Sequence, residues 1–144
     1  MLRLTKKSEY GIIALKYMLN QPAGTVIRAK EISAAYHIPT EIMAKILQKL
    51  ARRGIVRSCQ GSKGGYVLAK DGSEISLSEI IETIDGPVKL VECMDDDRCA
   101  CTQLNYCNIS DPFKLIQSQF KQFLSRISLS DINNELEIQR VVWQ

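Results

Sequence analysis

Residues 40–66 read TEIMAKILQKLARRGIVRSCQGSKGGY and contain the pattern that decides the fold. The first part predicts a helix that has Thr40 as its N-cap and ends at Gly54. The second part predicts a short β-hairpin, with strands over 55–58 and 66–69 joined by a glycine-rich turn. A helix followed at once by a hairpin is typical of a winged helix-turn-helix domain.

Two shorter helices are predicted before this stretch. Thr5 can cap a helix that runs to about Asn20, and an alanine-rich helix is expected over 29–36. His37-Ile38-Pro39 then forms a tight turn, and a helix, a turn and a second helix are the arrangement of a DNA-reading motif. The expected fold is mainly α-helical with a small β-hairpin: a winged helix-turn-helix domain plus a long dimerisation helix.

The predicted helix that starts at Thr40 has two chemically different faces. Its apolar residues recur at helical spacing and are expected to pack on the first two helices. On the other face, Lys and Arg side chains reach phosphates or guanine, Gln reaches adenine, and Glu accepts from cytosine. With the wing turn added, the residues expected to contact DNA are Thr40, Glu41, Lys45, Gln48, Lys49, Arg52, Ser62 and Lys63. A surface helix with routine charges is the alternative explanation for the helical part of this pattern.

Charge is distributed unevenly along the 144 residues. Residues 1–70 contain 13 Lys and Arg against 3 Asp and Glu, whereas residues 71–144 contain 6 against 13. A basic half joined to an acidic half indicates that the basic half meets a polyanion. No paired acid and base, activated nucleophile or cofactor loop is recognisable, so an enzyme is not expected.

Residues 93–107 read CMDDDRCACTQLNYC and hold four of the five cysteines. This cysteine segment is too polar to be a core element, so metal, cluster or redox chemistry explains its thiols better than burial does. Because the spacing is Cys-x5-Cys-x-Cys-x5-Cys, a three-thiol site can be drawn from Cys93 and Cys107 together with either Cys99 or Cys101. Zinc and an iron–sulfur cluster are both compatible with such ligands.

The expected compartment is the cytoplasm, where thiols stay reduced and able to bind metals. The N-terminal residues lack the cleavage site of a signal peptide, and no window is long and apolar enough to span a bilayer. No membrane partner is therefore expected.

The second half is predicted to contain a fourth helix and, beyond the cysteine segment, a long one. Ser76 and Glu79 fit a capping box that opens the fourth helix, while Asp111 can cap the long helix, which extends to about Ser128. Apolar residues step along the long helix by three and four, the spacing of a helix that pairs with another helix. The predicted dimer seam is Phe113, Ile116, Phe120, Phe123 and Ile127; packing of this helix on its own domain is the alternative.

These patterns predict three parts. Residues 1–86 form the winged helix-turn-helix DNA-binding domain, residues 87–109 form the cysteine-rich cluster-binding loop, and residues 110–144 form the dimerisation helix and the C-terminal tail.

In this order of features the chain resembles the Rrf2 superfamily of bacterial regulators over about residues 2–132. The features that carry the resemblance are Arg3-Leu4-Thr5, the helix-turn-helix, the wing 61–66, the fourth helix followed by Gly86-Pro87, the cysteine segment and Ile127-Ser128-Leu129-Ser130. Within the family, the chain is most similar to regulators of SUF iron–sulfur assembly genes, on the basis of Met1-Leu2-Arg3-Leu4 and the lead-in 86–93.

The resemblance implies a homodimeric winged-helix repressor or activator of the IscR and NsrR type. In such proteins an iron–sulfur cluster, here expected to be 2Fe-2S in preference to 4Fe-4S, alters the DNA-reading helices. IscR-type regulators carry an arginine where this chain has Gln60 and a glutamate where it has Ala44. The base sequence that this chain reads should therefore differ from the IscR operator.

The resemblance also supplies a further ligand candidate. In some members an acidic residue near the chain start completes the cluster from the partner subunit, and Glu9 occupies the matching place. A carboxylate is a harder ligand than a thiolate for the iron of such a cluster, so this site would be labile, as a sensor requires. The alternative role for Glu9 is that of a first-turn acid favoured by the helix dipole.

Three mechanisms follow from these ligands. In the first, the cluster reports iron–sulfur supply or oxidative damage and controls iron–sulfur assembly or redox and iron stress genes. In the second, the same site reacts with nitric oxide. In the third, the cysteines hold structural zinc, or nothing, and the protein binds DNA without sensing.

Overall fold

A computed structural model of the chain describes residues 3–91 and 101–142. Its helices are α1 (Lys6–Leu19), α2 (Ala29–Tyr36), α3 (Thr40–Arg52), α4 (Leu77–Asp85), α5 (Ser110–Arg126), α6 (Leu129–Ile132) and α7 (Glu135–Val142). Its strands are β1 (Val56–Cys59) and β2 (Gly65–Leu68), and short 3-10 turns cover Gly72–Glu74 and Leu104–Tyr106. The expected fold class, mainly helical with one small hairpin, is confirmed. None of the helices in these two ranges is long and apolar enough to cross a membrane.

Local signals define the helix-turn-helix. The predicted cap of α1 is confirmed, because the Thr5 hydroxyl accepts from the Ser8 amide at 3.2 Å. His37 is the C-cap residue of α2, and its left-handed φ of 53° turns the chain sharply. The predicted cap of α3 was wrong by one residue. Pro39 occupies the N-cap position with φ −55°, so Thr40 is already helical.

The hydrophobic core joins every part of the winged domain. Leu15, Ile32, Leu47 and Ile80 are all fully buried, so the first four helices share one interior. Burial of apolar surface on this scale is the main stabilising contribution to such a domain. The core therefore fixes the orientation of α3, the helix on which the predicted DNA contacts lie.

The wing is a two-stranded antiparallel hairpin whose register pairs Val56 with Leu68 and Cys59 with Gly65. Its strands lie within one residue of the predicted ranges. An isolated β-bridge beside β2 was not predicted: Ile27 and Tyr66 exchange two backbone hydrogen bonds, each of 2.8 Å. A Cβ atom at Gly65 would lie 2.6 Å from the Ile27 carbonyl oxygen, so only glycine fits this close approach.

Only one half of the predicted capping box of α4 forms. The Ser76 hydroxyl accepts from the Glu79 amide at 3.1 Å, as expected. The Glu79 carboxylate, however, accepts from the Lys70 ammonium at 2.8 Å instead of turning back to the cap. The half-buried ion pair thus replaces the second bond of the box.

The long helix α5 starts and ends earlier than predicted. Ile109 is its N-cap residue, so Asp111 lies inside the first turn, where it pairs with Lys114 at 3.3 Å. Asp111 is therefore not the cap. An acid in the first turn is still favourable, because the amino end of a helix dipole is positive.

The chain then returns to the winged domain. The Ile127 carbonyl accepts from the Leu77 amide, the Ile75 carbonyl accepts from the Leu129 amide, and both distances are 2.8 Å. Leu129 is fully buried in the same core as α1. Core packing therefore crosses the predicted boundaries at 86 and 110, and the three-part division remains a prediction about function.

Candidate nucleic-acid interface and cysteine segment

α3 presents a buried apolar side and an exposed polar side. The buried side chains are Met43, Ile46, Leu47 and Leu50, with exposures of 0 to 3%. Its exposed residues include Thr40 at the start of the helix and then Glu41, Lys45, Gln48 and Arg52. These groups lie on one side because steps of three and four residues return to the same helix face. They form an unobstructed stripe of the kind that a DNA-reading helix presents to base edges and phosphates.

Lys49 lies apart from this stripe. Its ammonium group donates to the Ile84 carbonyl oxygen at 2.7 Å, at the C-terminal end of α4. A cation at this end of a helix is stabilised by the dipole and satisfies a carbonyl that lacks an intrahelical partner. Sequence spacing grouped Lys49 with the DNA contacts; the structure instead gives it a contact between α3 and α4. Because this hydrogen bond engages its ammonium, we expect Lys49 to stabilise the packing of α3 on α4, and its role as a DNA contact stays a prediction.

Basic residues also line a shallow groove of about 450 Å³ between α3 and α4. Lys49, Arg52 and Arg53 form its α3 side, and Glu82 and Thr83 lie on its α4 side. Arg52 is therefore both the last residue of the exposed stripe and part of the wall of this groove. Guanidinium groups in such a place suit phosphate oxygens, because they carry several fixed donors.

The tip of the wing is exposed and anchored from the side. Ser62 and Lys63 are both exposed, as a contact to DNA requires. Arg28, just before α2, donates from Nη2 to the Ser62 carbonyl oxygen at 3.1 Å. Sequence reasoning missed this anchor. The available signal was an arginine at a helix N-cap, which has no acceptor for the cap bond and so leaves its side chain free for another partner.

The exposed apolar surface of α5 differs from the predicted seam. Leu115, Ile116 and Phe123 are exposed to 64, 48 and 36%. Phe120 faces inward and lines a groove of about 390 Å³ with Leu124 and the end of α4. α5 therefore has two apolar sides, one that faces its own domain and one that faces solvent.

The prediction for Ile127 needs correction. Ile127 follows the last residue of α5 and is 6% exposed, within its own chain. Phe113 is half-buried, so Ile116 and Phe123 are the exposed members of the predicted seam.

The structure describes two of the four predicted thiol ligands. Cys93 and Cys99 lie outside the described residues, whereas Cys101 is exposed and Cys107 is half-buried. Neither of these two forms a disulfide. Two unpaired thiols here and two more in the adjoining sequence match the soft ligand set of an iron–sulfur cluster, and they match zinc as well.

Glu9 is half-buried in the first turn of α1, and its carboxylate lies 2.6 Å from the Lys6 ammonium. This hydrogen bond raises the pKa of Lys6 above its ordinary value. Glu9 would have to give up this exposed ion pair to bind a metal, and such pairs contribute little to stability.

The lead-in to the cysteine segment is held on α5 by a side chain that sequence reasoning also missed. The Gln117 amide donates to the Val88 carbonyl oxygen and accepts from the Leu90 amide at 2.8 Å. The signal in the sequence was a lone Gln among the apolar positions of the inward face of α5.

A recognition helix with an exposed polar stripe, followed by an anchored wing, defines a winged helix-turn-helix DNA-binding protein. The chain belongs to the Rrf2 family of transcriptional regulators, because the family profile, described as "Iron-dependent Transcriptional regulator", matches residues 4–135. It is thus a regulator of transcription and not an enzyme.

Relatives and solved structures agree with this assignment. The chain is 30% identical over 138 residues to the HTH-type transcriptional regulator IscR of Escherichia coli, covering 95% of this chain and 83% of IscR. It is 24% identical to the HTH-type transcriptional regulator NsrR of Halalkalibacterium halodurans, covering 98 and 97% of the two chains. The structure of CymR, the global cysteine regulator of B. subtilis, shares the fold with a TM-score of 0.71 at 23% identity, covering 94 and 98%.

Proposed function

We propose that two copies of this chain form a homodimer that binds a two-fold symmetric operator, and that an iron–sulfur cluster on the cysteine segment controls this binding. The observation that carries the proposal is an open polar stripe on α3, beside an exposed wing, in a chain that holds four cysteines within residues 93–107. The regulated genes would be those of iron–sulfur assembly or of redox and iron stress. The protein would act in the cytoplasm, where the thiols stay reduced.

Residues of the stripe and the wing have separate roles in this proposal. Lys45 and Gln48 read base edges in the major groove, since their side chains match guanine and adenine acceptors and donors. Arg52 and Lys63 bind phosphates and set the register of the protein on the duplex. Thr40, Glu41 and Ser62 complete the predicted contacts.

A dimer places two such surfaces on one face of the duplex. Ile116 and Phe123, with Leu115, supply the exposed apolar surface of α5 that a second copy would cover. Because a two-fold dimer presents two identical reading helices, the half-sites should be about 34–36 Å apart, or a multiple of that distance.

Cys93 and Cys107, with Cys99 or Cys101, would hold the cluster, and Glu9 of the partner subunit is the candidate for the remaining ligand. When bound, the cluster supplies a centre that is lost or altered by oxidants, nitric oxide or iron shortage. A ligand set with one carboxylate would release iron more readily than four thiolates, which suits a sensor.

Anaerobic reconstitution with iron and sulfide tests the cluster. We expect visible absorption bands and a paramagnetic signal on reduction, and a change in affinity for duplexes selected by the protein from a random pool. A colourless, iron-free protein would refute control by a cluster; bound zinc, which is silent in the visible range, would support the structural-metal alternative. Titration with nitric oxide against peroxide separates the two sensing mechanisms.

Single cysteine variants identify the ligands. Cys93→Ala should abolish the absorption bands, whereas Cys99→Ala and Cys101→Ala should differ from one another if three thiols bind. Equal and complete loss in both would instead indicate four-thiolate ligation. Cys59→Ala is the matched control, because this cysteine lies in β1 of the wing.

A further inference from the structure

Gln117 binds the backbone of the lead-in segment, residues 86–91, with the donor and acceptor pattern of a neighbouring strand. Its amide accepts from the Leu90 N–H at 2.8 Å and donates to the Val88 carbonyl oxygen. The two partners are two residues apart and on the same edge, which is the spacing at which one strand bonds to the next. Both bonds are partly buried, so solvent competes with them less than on an open surface.

The lead-in segment is fixed at a second point just before it begins. The Asp85 carboxylate, at the end of α4, accepts from the Thr5 hydroxyl at 2.7 and 2.8 Å and from the Ser8 hydroxyl at 2.6 Å. Three residues beyond Leu90 the sequence reaches Cys93. The chain that leads from α4 toward the first cysteine is thus bound to α1 at residue 85 and to α5 at residues 88 and 90.

Two polar contacts connect α5, which carries Gln117, through α4 to the DNA-reading helix α3. Lys121, one turn further along α5, pairs with Glu82 of α4 at 2.9 Å. At the end of α4, the Ile84 carbonyl oxygen accepts from the Lys49 ammonium of α3 at 2.7 Å. Lys49 follows Gln48, a residue of the exposed stripe, directly in the sequence. Each link joins a pair of elements that also pack directly, α5 on α4 and α4 on α3.

We propose that Gln117 is a positioning residue that couples ligation of the cysteine segment to the placement of α3. A change at the cysteines would pull on residues 88–90, and through Gln117 on α5, α4 and then α3. This inference rests on the proposed function, since it requires a bound group at the cysteines that alters DNA affinity. A side-chain amide suits this place because it presents a donor and an acceptor on two separate atoms, as the N–H of Leu90 and the carbonyl of Val88 require.

The measured quantity is the ratio of operator affinity between cluster-loaded and cluster-free protein. Couplings between sites in proteins are typically about 5- to 150-fold, and the wild-type ratio should fall in this range. In Gln117→Ala the ratio should fall to within about twofold of one, while iron and sulfide content per chain stays at the wild-type level. A role confined to folding would weaken both forms equally and leave the ratio unchanged, which would overturn the proposal.

A second readout does not need the cluster. In cluster-free protein, hydrogen exchange of the Leu90 amide should be at least about tenfold faster in Gln117→Ala than in the wild type, because its acceptor is gone. Gln117→Glu keeps an acceptor and should retain slow exchange at Leu90 and part of the ratio. Gln122→Ala, the same residue type on the exposed side of α5, is the matched control and should change neither quantity.

Lys121 tests the next link. Lys121→Ala should also lower the ratio, and the double variant should be no lower than Gln117→Ala alone, because contacts in series are not additive. Independent, additive losses would overturn the series. The two proposals fail separately. A wild-type ratio of one refutes cluster control, whereas unchanged Leu90 exchange in Gln117→Ala refutes the role of Gln117 in holding residues 88–90.

Discussion

The recognition helix and the long helix use their apolar side chains in opposite ways. α3 buries all but one of its large apolar residues within the chain and leaves a polar stripe outside. α5 has 17 residues, all within the described part of the chain, and of these Leu124 alone is buried. Leu115 and Ile116 remain 64 and 48% exposed. One copy of the chain therefore completes the core of the reading domain, whereas α5 leaves apolar side chains exposed, the surface that the proposed dimer would cover.

The largest expected effect concerns stability. Leu47→Ala, in the α3 core, should lower the free energy of unfolding by about 2–5 kcal/mol, because it removes a fully buried side chain and leaves a cavity. Leu115→Ala on α5 should change it by no more than about 0.5 kcal/mol. Urea unfolding at several protein concentrations separates folding from association. Equal losses would contradict the contrast between the two helices.

The second effect concerns association. Ile116→Glu should raise the dimer dissociation constant by roughly 100-fold, because a carboxylate would be buried against apolar side chains of the second copy. Ser118→Glu, also exposed on α5, is the matched control and should leave the dimer intact. Sedimentation equilibrium measures both. An unaffected Ile116→Glu dimer would place the interface elsewhere.

The third effect concerns sequence reading by α3. Gln48→Ala should weaken operator binding by about 1–3 kcal/mol and relax discrimination at one base pair in each half-site. Fluorescence anisotropy with a set of single-substitution operators measures both the loss of affinity and the loss of discrimination. Gln122→Ala on α5 provides the comparison and should bind every operator as the wild type does. A uniform loss across all operators would identify Gln48 as a backbone contact instead.

The smallest effect separates two lysines that the sequence pattern groups together. Lys63→Gln should cost less than about 1 kcal/mol in affinity at moderate salt, and should reduce the slope of log affinity against log salt by about 0.9, since one phosphate contact is lost. Lys49→Gln should leave the slope unchanged and lower stability, because its ammonium is bound to the Ile84 carbonyl. If Lys49→Gln reduced the slope of log affinity against log salt, Lys49 would be a DNA contact.

Sequence predicted the elements that local signals determine. α2 occupies the predicted range, and the wing strands lie within one residue of theirs, because capping groups, glycines and apolar periodicity act over a few residues. The errors at Thr40 and Asp111 are of one kind. Each residue type is favourable at an N-cap, but the cap of α3 lies one residue earlier than predicted and the cap of α5 lies two residues earlier.

Contacts between distant residues could not be read in this way. The pairing of Ile27 with Tyr66 depends on Gly65 lying against another strand, which no local pattern specifies. Lys49 has the spacing of a DNA contact, but its partner, Ile84, is 35 residues away. Ile127 continues the apolar period of α5 after the helix itself has ended. Helical spacing identifies a face, but the neighbours of that face are set by the tertiary fold.

The return of the chain after α5 has a consequence for how the molecule can be cut. Leu129 fills the interior beside α1, and the backbone bonds of Ile75 and Leu77 are made by the residues that follow the long helix. A fragment ending at residue 86 would lack the side chain of Leu129 in the core and would leave the backbone groups of Ile75 and Leu77 without these hydrogen-bond partners. We therefore expect the fragment to have a lower melting temperature or to precipitate. The winged domain and the residues after α5 therefore form one cooperative unit, and local unfolding of either part should destabilise the other.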